Sequence, residues 1–97
     1  MAIVTFIARM TCKPDKQQEF LKYCRQLENY VRENEPDVLY YKFFKLREPG
    51  RYAIMESFPD EATEHKHMNS KILSEVAPKI SACLDGGWER EYLDPLE

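Results

Sequence analysis

His65 and His67 are the only imidazoles in the chain, and both fall just after a predicted strand that runs from Tyr52 to Phe58. Near neutral pH an imidazole can accept a proton from a phenol or hydroxyketone, or donate one to a carbonyl oxygen. The two histidines are two positions apart, so on a helix they point to different sides. No Cys or carboxylate spacing supplies further ligands, and a zinc or iron site is not expected. Tyr41 lies on an aromatic-rich strand, where a phenol facing the helices can donate a hydrogen bond to a bound carbonyl. Arg9 and Arg90, if inward-facing, could hold a carboxylate or enolate, although pairing with Glu56, Glu89 or Glu91 is the expected arrangement. No nucleophile motif, phosphate loop or dinucleotide fingerprint is present, so hydride and phosphoryl transfer have no support.

The chain that must position these groups has 97 residues and is expected to form one domain, residues 1–97, around a single core. Its composition is 43% hydrophobic and 32% charged, which is that of a globular protein. The net charge is −3 with both signs interleaved, so a nucleic-acid partner is not expected. The cysteines are Cys12, Cys24 and Cys83, an odd number without a CxxC pair, which reads as buried reduced thiols. The opening MAIVTFIARM is too short to span a bilayer and has no basic segment ahead of its apolar run. It is read as a strand, not a signal peptide, and the protein as cytoplasmic with no membrane partner.

Residues 3–12 alternate as a strand, with Val4, Phe6, Ala8, Met10 and Cys12 on one face. After Lys13-Pro14, Asp15 is the expected N-cap, with Gln18 as the reciprocal capping-box partner. Phe20, Leu21, Cys24, Leu27 and Val31 then recur at helical spacing to about Glu33, before Pro36. A second strand is predicted from Val38 to Leu46, and Glu48-Pro49-Gly50 turns the chain into the third, Arg51 to Phe58. A helix begins near Asp60. Ser70 could cap a further one, in which Pro78 predicts a kink or a restart. Trp88 to Leu93 is the expected last strand. The order βαββαβ defines an α+β, ferredoxin-like plait: a four-stranded antiparallel sheet with helices on one face. Because the other sheet face also carries apolar residues, a homodimer packed through the sheets is expected.

At this point the chain resembles the antibiotic biosynthesis monooxygenase-like family of dimeric α+β barrels. The resemblance runs nearly end to end. Ala8-Arg9 closes the first strand ahead of a Lys-Pro turn. Val31-Arg32-Glu33-Asn34-Glu35-Pro36 is similar to the family's Arg…Glu-Pro-Gly lead into strand two, with Asp37 in place of Gly. Tyr41 falls where the family usually has Tyr, and Glu56-Ser57-Phe58 stands where it usually has Glu-x-Trp. Ala62, His67 and Ser70 match its Ala…His…Ser/Thr spacing, while Ile72 replaces a frequent second histidine.

The family includes cofactor-independent monooxygenases of phenolic polyketides and quinols, haem-degrading enzymes, and isomerases of quorum-signal catabolism. The resemblance implies His67 as the catalytic base, with Phe58, Tyr41 and Ser70 in contact with substrate. Phe58 keeps an apolar ring where Trp is usual but lacks its N–H donor. Haem degradation is not expected, because Ala8 and Ala77 stand where that branch needs polar or ligating residues. The reading that follows is a monooxygenase of a small aromatic or quinol-type substrate, using no metal, flavin or haem. The alternatives are a hydroxyketone isomerase, or a non-catalytic dimeric ligand-binding module.

Overall fold

The computed structural model describes residues 2–96. Its elements are β1 (Val4–Thr11), α1 (Gln17–Asn34), β2 (Tyr40–Lys45), β3 (Arg51–Phe58), α2 (Glu61–Met68), α3 (Lys71–Ala82) and β4 (Glu89–Tyr92). The four strands form one antiparallel sheet in the order β2-β3-β1-β4, as the ferredoxin-like reading requires.

Alternation along β1 sends Phe6, Ala8, Met10 and Cys12 under the helices, where all four are buried. The register then assembles cross-strand rows on that same face. Tyr41, Glu56, Phe6 and Tyr92 form one row; Phe43, Ile54, Ala8 and Arg90 form the next. Helix α1 closes over them with Phe20, Cys24, Leu27 and Val31, and α3 with Val76 and Ile80. The three cysteines are unpaired and buried, and burial above all pushes each thiol up from its ordinary range. They are packing residues.

Several boundaries differ from those expected of the sequence. Residues Pro14–Lys16 form a turn of 3-10 helix before α1, so Asp15 lies inside that turn and α1 has no side-chain N-cap. The capping box with Gln18 therefore does not form. Strand β2 begins at Tyr40, because Val38 N–H bonds back to the Glu35 carbonyl in the turn that ends α1. Helix α3 runs unbroken through Pro78. Proline removes the donor to the Ser74 carbonyl, and both residues are exposed, so water can satisfy the freed acceptor. Asp60 caps α2 by accepting from Thr63 N–H at 2.8 Å, and Ser70 caps α3 by accepting from Leu73 N–H at 3.4 Å. Gly50, at φ +78°, makes the tight β2–β3 turn in a conformation that a side chain would strain.

Candidate active site

Between the sheet and the helices lies a cavity of about 340 Å³. Its walls are mostly apolar, from Leu27, Phe43, Ile54, Leu73, Ile80 and Trp88. Two small side chains leave room in its lining: Ala8 from the centre of β1, between Phe6 and Met10, and Ala77 from α3. Polar groups enter from Tyr41, Glu56, His67 and Arg90.

His67 is 2% exposed, and its orientation is fixed from three directions. Its Nδ1 lies 2.7 Å from Glu35 Oε1; a carboxylate accepts, so Nδ1 carries the proton. The rings of Tyr41 and Phe58 hold it at centroid distances of 4.9 and 5.6 Å. Glu35 reaches this point because it is the C-cap residue of α1: its N–H bonds the Val31 carbonyl, and Pro36 stops the helix behind it. In a neutral imidazole, a proton fixed on Nδ1 leaves Nε2 as a lone pair. Nε2 is buried without a hydrogen-bond partner, and so is Glu56 Oε1, 3.7 Å away. That gap is too long for a hydrogen bond.

Glu56 is 5% exposed. Burial chiefly raises its pKa, to about 8, with Arg90 opposing the shift and Glu64 and Glu35 adding to it. At neutral pH Glu56 is therefore mainly a protonated acid and a hydrogen-bond donor. Burial, with Glu56 and Glu35 nearby, also holds the Tyr41 phenol well above the usual tyrosine range, so it too stays a donor. The cavity thus combines a base (Nε2) with two neutral donors; three buried polar atoms are unpartnered, His67 Nε2, Glu56 Oε1 and, behind the imidazole, Glu35 Oε2. A ligand oxygen bridging Nε2 and Glu56 would satisfy both.

Of the residues singled out from the sequence, His67 and Tyr41 meet in this cavity. Phe58 is fully buried, wedged between His67 and Phe6, and does not line it. Ser70 lines a neighbouring depression of about 220 Å³ on the Glu35 side of His67, and its hydroxyl serves as a helix cap. Arg9 pairs with Glu91 at 3.0 Å on the opposite sheet face, one of the pairings expected. Arg90 does not follow: among the described residues it has no ion pair, and its guanidinium lies 4.4 Å over the Phe6 ring.

Glu35 and Glu56 were not assigned a role in the site from sequence. The signal for Glu56 was available: Tyr52, Ile54, Glu56 and Phe58 share one face of β3, so the glutamate occupies an inward slot. Among the described residues, no group of three His, Cys, Asp or Glu side chains is placed to hold a metal ion, and no helix is long and apolar enough to cross a membrane.

A small α+β plait with a histidine-bearing cavity between sheet and helices is the class of protein this geometry defines. The antibiotic biosynthesis monooxygenase family model matches residues 3–79, and the chain belongs to that family. Its matches among solved structures span almost the whole chain. A Caulobacter crescentus protein provisionally named an antibiotic biosynthesis monooxygenase is 25% identical, covering 99% of this chain and 92% of its own, with a TM-score of 0.92. A conserved protein of Methanosarcina mazei is 27% identical, covering 97% and 93%, with a TM-score of 0.87. A Mycobacterium tuberculosis protein at 18% identity, covering 99% and 97% with a TM-score of 0.89, shows the shared fold alone. No curated protein is significantly similar in sequence. The chain is therefore monooxygenase-like in family and fold.

Proposed function

We propose that the protein is a cofactor-independent monooxygenase of a small hydroxylated aromatic substrate, such as a quinol. The observation that carries this reading is the unpartnered pair, His67 Nε2 and Glu56 Oε1, buried at the wall of an apolar cavity. His67 Nε2 takes the proton of the substrate hydroxyl, and the Glu35 carboxylate stabilises the imidazolium through Nδ1. The resulting phenolate passes an electron to dioxygen, and recombination at a ring carbon gives a hydroperoxide that loses water. One oxygen atom enters the ring as a quinone carbonyl, the other leaves as water, and the substrate supplies the electrons. Tyr41 and protonated Glu56 donate to the oxygen on which negative charge develops. The apolar walls exclude the water that would weaken these interactions. Phe58 and Ser70 contribute by holding His67 and the start of α3, instead of touching substrate.

The reading is tested by following oxygen uptake with a panel of quinols. His67→Ala is expected to lower turnover by about 10²- to 10⁴-fold; unchanged rates on every accepted quinol would refute it. A second reading, isomerisation of a hydroxyketone, is favoured by one specific observation. Glu56 as an acid beside Nε2 as a base can move a proton between adjacent carbons through an enediol. Substrate consumption with a flat oxygen trace would select it. A ligand that raises the melting temperature but emerges chemically unaltered would select the binding module.

We also infer a homodimer through the helix-free sheet face. That face exposes Tyr40 and Phe44, with Ile7 and Met55 half-buried beside them. It is also crossed by polar links, Arg9–Glu91, Arg51–Glu89 and Thr5–Ser57, which would set the register of a partner.

A further inference from the structure

We propose that Arg90 selects substrates carrying an anionic group, so that the ligand class is a small hydroxyaryl carboxylate or comparable aryl anion, with the acid at Arg90 and the hydroxyl between His67 and Glu56. The inference rests on the reading of the cavity as a substrate site and adds the charge of what it binds.

The cavity has two polar ends separated by apolar surface. One is the unpartnered Nε2/Oε1 pair. The other is a guanidinium that lines the cavity at its exposed edge without a carboxylate partner among the described residues. Arg90 is positioned by the register: it is paired with Ala8, next to the row that holds Phe6 and Glu56. Its head group leans back over the Phe6 ring, and Phe6 is the cross-strand partner of Glu56. Arg90 and Glu56 line the same cavity, and the Arg90 charge is felt at the Glu56 carboxyl, whose pKa burial raises and Arg90 lowers. One ring lying in that cavity can therefore present a hydroxyl to one group and an acid to the other. With its head group over Phe6 and a hydrogen bond to the Tyr92 side chain, Arg90 still has N–H donors left over for a carboxylate. The remaining lining is what an aromatic ring requires, including Trp88, the only tryptophan in the chain.

The test is equilibrium binding of 3-hydroxybenzoate, its methyl ester and phenol, read by Trp88 fluorescence and by calorimetry, to the wild type and to Arg90→Gln. Arg90 is exposed, so this variant should fold, and circular dichroism verifies that it does. The wild type is expected to bind the acid about tenfold or more tightly than the ester. Arg90→Gln should remove that preference while leaving ester and phenol affinities unchanged. Equal acid affinity in the two proteins, or equal affinity of acid and ester in the wild type, overturns the proposal. If ester and phenol bind but the acid does not, only the anion inference falls. If none of the three binds, the substrate-site reading of the cavity falls with it.

Discussion

Replacing Glu56 by Gln tests whether the cavity holds its carboxyl as an acid. The side chain keeps its shape and a donor, but can no longer ionise. In the unfolded chain a glutamate titrates near 4.5, and in the fold burial raises Glu56 to about 8. Between these values the folded state holds a proton that the unfolded state has released. Stability must therefore fall as pH rises through this window. At about 1.4 kcal/mol for each tenfold change in proton affinity, the ceiling is about 5 kcal/mol by pH 8.5. Relaxation of the fold around the ionised carboxyl should reduce the realised loss to about 2–4 kcal/mol. The assay is urea unfolding of both proteins at pH 5 and pH 8.5. At pH 5 they should agree within about 1 kcal/mol; at pH 8.5 Glu56→Gln should have a midpoint higher by about 1 M or more. Parallel curves for the two proteins across this range would refute the assignment of Glu56 as a buried, neutral acid. So would a wild-type midpoint that does not fall.

Ser70→Ala should lower stability by about 1 kcal/mol through loss of the α3 cap, with substrate turnover unchanged; a large loss of turnover at equal stability would return Ser70 to the site. Ile7→Lys, at the centre of the helix-free sheet face, should shift sedimentation from dimer to monomer. A wild type that sediments as a monomer at micromolar concentration would refute the dimer itself.

The fold was legible because its decisive signals are local. Strict alternation placed the inward residues of β1, and the Glu48-Pro49-Gly50 turn set the start of β3 at the residue observed. The helical stripe of α1 needed only its own spacing. Where two local signals competed, the sequence was ambiguous. Asp15 has capping chemistry, but Pro14 favours the short 3-10 turn that absorbed it. Pro78 offered a restart, but α3 continues through it, with the freed Ser74 carbonyl on an exposed face. The candidate site was half legible. His67 could be picked out from its type and position, and Tyr41 from its strand face. The partners that give His67 a defined tautomer were not, since Glu35 is 32 residues away and reaches it only through the turn ending α1. Phe58 illustrates the converse: its place where the family usually has Trp implied contact with substrate, and packing sets it behind the imidazole.

Ala8 and Ala77 make the size of the binding space independent of its chemistry. Neither carries a polar atom, and neither holds a functional group in place, yet each stands where a larger side chain would project into the void. Exchanging either methyl for a branched chain would trim the space without moving His67, Glu56 or Arg90. A lineage could thus pass from bulky to compact ligands by single substitutions, leaving its proton-transfer apparatus intact. In this architecture, the choice of which molecule enters can evolve separately from what is done to it.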